Sequence, residues 1–216
     1  MGRPEDKYVK IPALVHASRI GYTYVSIHGK TPSVDYDGDT NIFYDSFRAA
    51  LSRINGRDVD KEKTRYLVAQ LRLKLGGDDL GRALFTCLQT GLEGYRLLDF
   101  DDPRNNTFEV VTELPCENGE DSFRPDITFL VNGMPLCFME VKRQNNKDGI
   151  QAERDRMFRR FKNPVYRRFV NITQVMAFSN NQEYDDEDRH QLQGSFYASS
   201  AYGRLSFSHF REEDEA

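Results

Sequence analysis

Two carboxylates and an amine stand at a spacing that suits metal-assisted hydrolysis. Arg124-Pro125-Asp126 is followed, fourteen positions after the aspartate, by Glu140-Val141-Lys142. Side chains alternate along a strand, so Glu140 and Lys142 share one face. Asp126 opens the preceding apolar run, and a hairpin returns Glu140 toward it. Two carboxylates suit Mg2+, a hard cation that takes oxygen ligands and keeps several waters. Mn2+ favours the same oxygens and can substitute. A metal held there polarises a phosphate and lowers the pKa of an attacking water. Lys142 then orients that water or offsets charge building on the phosphate. The bland alternative is a buried ion pair between Lys142 and one carboxylate at a sheet end.

The register of the hairpin decides whether the carboxylates meet. The segments Asp126 to Val131 and Leu136 to Val141 are read as strands, joined through Asn132-Gly133, a strong hairpin signal. A plain two-residue turn pairs Asp126 with Met139 and sends Glu140 to the opposite face. A three-residue loop, Asn132-Gly133-Met134, pairs Asp126 with Glu140 directly, and a bulge does the same. The hydrolytic reading therefore requires an odd-length loop or a bulge. Both strands are apolar at nearly every position, as in a central strand covered on two faces. Charge buried there is costly unless it is paired or holds a metal.

The elements that must position this hairpin follow from periodicity. Residues 8–28 read as a short helix, a break at Gly21 and a β-prone stretch, and 29–39 as a loop. In 40–55, Phe43, Phe47, Ala50, Leu51 and Ile54 share a helical face that ends at Gly56. Residues 60–75 repeat the pattern with Thr64, Leu67, Val68, Leu71 and Leu75, and 79–90 form a third helix. Phe108 to Leu114 is a strand, 148–162 a helix, and Gln174 to Phe178 a further strand. Residues 180–195 are a polar loop, and Phe196 to Phe210 pack back as a strand. The chain thus reads as one α/β domain over 1–216, with a helical part to about residue 92 and a β-rich core over about 95–210.

Composition removes several classes. Hydrophobic residues make up 38%, with 15 Phe and 11 Tyr, enough to build a core and to exclude wholesale disorder. A net charge of -4 excludes coating of DNA by overall basicity, though not a local basic stripe. Cys87, Cys116 and Cys137 are odd in number and far apart, so neither a disulfide framework nor a zinc site is expected. The four histidines are scattered without ligand spacing, and Cys137 reads as a buried, inert thiol. No apolar run approaches the ~18 residues of a membrane span. No apolar stretch follows Arg3, so no secretory signal is expected and the cytoplasm is the expected compartment.

At these residues the sequence resembles the PD-(D/E)XK nuclease superfamily, through Pro125-Asp126 and Glu140-Val141-Lys142. The longer pattern Arg124-Pro125-Asp126-Ile127, Asn132-Gly133-Met134-Pro135-Leu136 and Glu140-Val141-Lys142 is similar to the N-terminal nuclease domain of type I restriction enzyme R (HsdR) subunits. Three other stretches fit that family's order: Ser18 to Tyr22, Tyr95 to Phe100 with Asn105-Asn106, and Gln174 to Asn180. The resemblance spans roughly residues 8 to 182. It implies a restriction-endonuclease-like core, a central mixed β-sheet flanked by helices, and Mg2+-dependent cleavage of double-stranded DNA. It also implies an ATP-dependent motor downstream, and assembly with methyltransferase (M) and specificity (S) subunits. Asp126 and Glu140 map to metal-binding carboxylates, the Val141 carbonyl to a further ligand, and Lys142 to the catalytic lysine. The family's Gln-x-x-x-Tyr is incomplete here, because Gln151 is followed four residues later by Asp155. Gly29-Lys30-Thr31 echoes the end of a phosphate loop, but Tyr24 replaces its first Gly, and a loop is the expected reading.

Residues 154–168 are basic and aromatic. Arg154, Arg159, Arg160 and Lys162 are candidate contacts to DNA phosphates, while Arg154, Phe158, Phe161 and Val165 fit an inward stripe. Asp45, on the 40–55 helix, is a candidate accessory carboxylate, and Gln151 a second accessory candidate. Asp185 to Asp188 lack the spacing of a calcium loop. The expected activity is endonucleolytic hydrolysis. The alternatives are a non-catalytic DNA- or protein-binding module on the same fold, and a stand-alone endonuclease of the superfamily.

Overall fold

The computed structural model describes residues 6–27, 34–116, 122–143, 149–180, 195–198 and 208–209. The chain enters through a wide helical turn, Asp6–Lys10, that runs into α1 (Ile11–Arg19). Gly21, at φ +104°, turns it into the two-residue strand β1 (Thr23–Tyr24). Three helices follow, α2 (Tyr44–Asn55), α3 (Lys61–Lys74) and α4 (Arg82–Thr90). Asp60 caps α3 by accepting from the Lys63 amide at 2.7 Å, and Gly56 closes α2 in the left-handed region. The expected starts of α2 and α4, at 40 and 79, lie four and three residues early. Asp37 intervenes, accepting from the Thr40 amide and hydroxyl in a tight turn before α2.

The strands β2 (Phe108–Thr112), β3 (Ile127–Val131), β4 (Met134–Val141) and β5 (Val175–Ser179) lie side by side in chain order. β1 adds parallel to β2, the middle pairs are antiparallel, and β5 runs parallel to β4. The connection from β4 to β5 carries α5 (Gly149–Lys162) and α6 (Arg167–Ile172). The short strands β6 (Ser195–Ala198) and β7 (Ser208–His209) extend the sheet beyond β5, both antiparallel. The result is a central mixed sheet flanked by helices, compatible with a restriction-endonuclease-like core. The phosphate-loop echo at 29–31 and the acidic run at 185–188 lie outside the described residues. Among the described residues, no helix is long and apolar enough to cross a membrane.

Alternation along β4 assigns its two faces. Met139 and Val141 pack with Val9 and Ala17 from the N-terminal helix. Phe138 packs with Met157, Tyr166 and Val170 from the β4–β5 connection. The helices α2 to α4 do not form a body of their own. Phe47, Leu67, Leu71 and Leu88 share one core with Met134, Leu136 and Ile172. This core sits at the turn end of the β3–β4 hairpin, where Phe43 donates its amide to Gly133 at 2.9 Å.

On α5 the inward stripe is displaced from the expected one. Glu153 and Met157 are buried, and Val165, 50% exposed, lies past the helix end. Of the expected stripe, Phe161 packs against the Phe138 core, whereas Val165 is corrected to an exposed position; the inward line runs through Glu153, Met157 and Phe161. Counting apolar residues alone missed it, because its first member is a carboxylate.

Candidate active site

The hairpin carries both features that the sequence posed as alternatives. Asn132 and Gly133 form a two-residue turn with φ of +54° and +75°, closing on the pair Val131 with Met134. This matches the primed turns that suit twisted hairpins. Asn132 is fully buried. Its side chain accepts from the Thr107 amide and donates to the Leu97 carbonyl and Asn106. Leu130 pairs with Pro135 but Phe129 pairs with Cys137, so Leu136 is the extra residue of a bulge. The carbonyl of Leu136 accepts from the Gln174 amide at 2.7 Å, which ties the bulge to the start of β5. Beyond it the ladder runs Thr128 with Phe138 and Ile127 with Met139. One further step sets Asp126 against Glu140.

At that end of the sheet the carboxylates meet. Oδ2 of Asp126 accepts from the Val141 amide at 2.9 Å, and Oδ1 lies 3.6 Å from Lys10 Nζ. Glu140 is 6% exposed and hydrogen-bonds Asp126. Burial pushes the Glu140 carboxyl well above its ordinary range, the charges of Asp126 and Glu153 push the same way, and Lys142 opposes them. The neighbouring negative charge adds to burial in disfavouring Glu140 as a bare anion. Lys142 Nζ lies 3.9 Å from Glu140 Oε2 and 3.3 Å from Glu153 Oε1.

A divalent cation fits this chemistry. Two hard oxygen donors converge, one of them buried and disfavoured as a bare anion. Among the described residues, no group of three or more His, Cys, Asp or Glu side chains gathers as a metal cage. A two-carboxylate set suits an ion that retains waters, as Mg2+ does. The Val141 amide is engaged with Asp126.

A family model of the type I restriction enzyme R protein N terminus matches residues 3–185. The chain belongs to that family. No curated protein matches it.

For this R-protein N-terminal domain the structure sorts the sequence candidates. Asp126, Glu140 and Lys142 come together at one end of β3 and β4. Asp45 does not join them. It begins α2, next to the Asn132-Gly133 turn, with its side chain 71% exposed and paired to Arg48 at 3.2 Å. Six residues of β4, Met134 to Met139, separate that turn from Glu140, roughly 20 Å at the rise of a strand. An exposed pair of this kind contributes about 0–1 kcal/mol, and Asp45 stands apart from the Asp126–Glu140 end of the hairpin. Gln151 and Arg154 lie on α5, but their side chains are outside the described residues.

The basic helix of the R-protein domain divides. Arg159 and Lys162 are exposed. Arg160 turns inward, with its guanidinium 3.9 Å above the Phe123 ring and 3.7 Å from Met157 Sδ. Burial lowers its pKa, and the charges of Glu140 and Glu153 act against that. Arg160 therefore lies on the inner side of α5 near Glu140 and Glu153, less open to solvent than Arg159 and Lys162.

Two residues of the site were missed. Lys10 bridges Glu113 at 3.0 Å and Asp126, and Glu153 takes Lys142. Nothing in the spacing of Lys10 connects it with residue 126. Glu153 did leave a signal, a carboxylate one helical turn before buried Met157. Burial also pushes the Cys137 and Cys116 thiols up to about 12, consistent with inert cysteines.

Proposed function

We propose that this domain is the nuclease of a type I restriction enzyme R subunit, on a PD-(D/E)XK core. It hydrolyses phosphodiester bonds of double-stranded DNA with Mg2+ bound at Asp126 and Glu140. The observation that carries the reading is the Leu136 bulge. It restores the register that a two-residue turn alone would break, and so sets Glu140 against Asp126. A structural hairpin has no need of two adjacent carboxylates at a buried strand end, and the arrangement costs stability without a cation.

The bound metal would supply Lewis acidity toward the phosphate and a more acidic water. The chain's own groups do the rest. The Val141 amide fixes the direction of Asp126. Burial by Phe138 and α5 keeps Glu140 from free hydration. The Lys142 amine stands beside the carboxylates, where it orients the attacking water or offsets phosphate charge. Arg159 and Lys162 face outward from α5 toward the DNA backbone. The family supports a place in a restriction-modification complex. M and S subunits as partners, site recognition by another subunit, and ATP use by a motor elsewhere in the R subunit complete the proposal.

Mn2+ titration by calorimetry tests it, on the wild type and on Asp126→Ala, with folding followed by circular dichroism. Binding to the wild type, and its loss in the folded variant, is the expected result. Should the wild type bind no Mn2+ with or without non-cleavable duplex DNA, the nuclease reading fails. A binding module on the same fold would then be the better account.

A further inference from the structure

Glu153 is an anion buried without an evident structural purpose. It projects from α5, with its side chain 4% exposed, ahead of Met157 on the inward face. Its Oε1 is used twice, by Lys142 Nζ at 3.3 Å and by Arg156 Nη1 at 2.6 Å. Its Oε2 is buried and has no hydrogen-bond partner among the described residues. A half-satisfied buried carboxylate costs stability, and an apolar residue of the same volume is often at least as stable. Packing alone does not account for a carboxylate at this position.

The role lies in the competition for Lys142. That amine stands between two carboxylates, Glu140 at 3.9 Å and Glu153 at 3.3 Å. The nearer one is not on the hairpin. Were Glu153 neutral, Glu140 would be the carboxylate left within 4 Å of Lys142 among the described residues, and Coulomb attraction grows as the pair closes. A closed Lys142–Glu140 pair would neutralise the carboxylate that a divalent cation needs. Arg156, half-exposed, shares Oε1 and holds the Glu153 carboxylate in place from the solvent side.

We propose that Glu153 is a positioning residue: it draws the Lys142 amine toward α5 and so keeps it from closing onto Glu140. The metal consequence rests on the reading of Asp126 and Glu140 as a cation site. The placement of the amine does not.

Four proteins separate the possibilities: wild type, Glu153→Gln, Lys142→Met and the double variant. With Mn2+ as the probe, Glu153→Gln is expected to weaken binding about tenfold, the order of one charge contact at partial exposure. In the Lys142→Met background the same substitution is expected to change binding less than about twofold, because the effect acts through the amine. An equal loss in both backgrounds would assign the effect to the Glu153 charge itself and overturn the proposal. So would no loss in either. The Lys142 ammonium signal in 15N NMR, assigned by its absence in Lys142→Met, provides a readout without metal. It is expected to shift in Glu153→Gln, and an unchanged signal sinks the idea even if the wild type binds no Mn2+. Failure of the cation-site reading would show instead as a wild type that binds no Mn2+ while the ammonium signal still moves. Glu153→Met guards against misfolding. Its melting temperature is expected to equal or exceed that of the wild type, and a large drop would make Glu153 a structural residue.

Discussion

Asp126 meets Glu140 across the hairpin one step beyond the last ladder pair, Ile127 with Met139. The two carboxyls share a hydrogen bond, and burial is the largest cause of the raised Glu140 pKa. A stability profile in the absence of metal follows. The folded state binds the Glu140 proton more tightly than the unfolded chain does. Stability is therefore fully present below the ordinary carboxyl value near 4.5 and falls as pH rises from there through the folded-state value. Glu140→Gln removes that slope. In chelator, urea midpoints across pH are expected to show the variant at neutral pH more stable than the wild type, by of order 1 kcal/mol. A variant less stable than the wild type at neutral pH would show that Glu140 is a net stabiliser and not a strained ligand.

The turn end of the same hairpin makes an independent prediction. Gly133 has a φ of +75°, and a Cβ there would stand 2.6 Å from the Phe43 carbonyl oxygen and 2.8 Å from the Phe47 amide nitrogen. Both are backbone atoms, so a rotamer change cannot relieve the clash. Gly133→Ala is expected to cost about 1–3 kcal/mol, with the left-handed backbone adding to the overlap. Mn2+ affinity of the folded fraction is expected to stay near wild type, because the bulge at Leu136 sets the register between turn and site. Loss of metal binding in a folded Gly133→Ala protein would transfer that role to the turn.

How far the sequence reached depends on which interactions are local. The Asn132-Gly133 turn, the Gly56 cap and the Asp60 cap are written in neighbouring residues, and the hairpin and helices followed from them. The need for a bulge was derivable, because side-chain alternation has a fixed period. Its place at Leu136 was not, since the Gln174 amide that binds the Leu136 carbonyl comes from far along the chain. Glu153 was missed, and Arg160 was read only as a phosphate contact, for a related reason. Charged residues on a helix are assigned to solvent by default, and only the strand beneath α5 shows that these two face inward. Asp45 is the opposite case: its helix packs at the turn end of the hairpin, a fact of topology alone.

Lys10 supplies a test that spacing could not suggest. Its amine lies 3.0 Å from Glu113 and 3.6 Å from Asp126 Oδ1, with a side chain only 10% exposed. A fixed cation beside a cation ligand opposes metal binding. Lys10→Met is expected to raise Mn2+ affinity about fivefold, the size of one unit-charge interaction of about 1 kcal/mol. Calorimetry on the folded variant measures it. A decrease would instead make Lys10 the residue that aims Asp126.

The outer face of α5 predicts how DNA affinity responds to salt. Arg159 and Lys162 are exposed near its C-terminal end, while Arg160 is held over Phe123 beside Glu140. If the two exposed cations meet phosphates, each releases about one counterion on binding. Arg159→Ala and Lys162→Ala are then each expected to lower the slope of log affinity against log salt by about 0.9 for duplex DNA. The effect should not depend on base sequence, since phosphate contacts carry none. Fluorescence anisotropy with a non-cleavable duplex at several salt concentrations reads both slopes. Arg160→Ala serves as the contrast, because its guanidinium lies among protein groups. It is expected to leave the salt slope near wild type and to lower thermal stability, through loss of the ring contact worth about 0.5–2 kcal/mol. Unchanged slopes in both Arg159→Ala and Lys162→Ala would remove this helix from the DNA interface and leave its outer face to another partner.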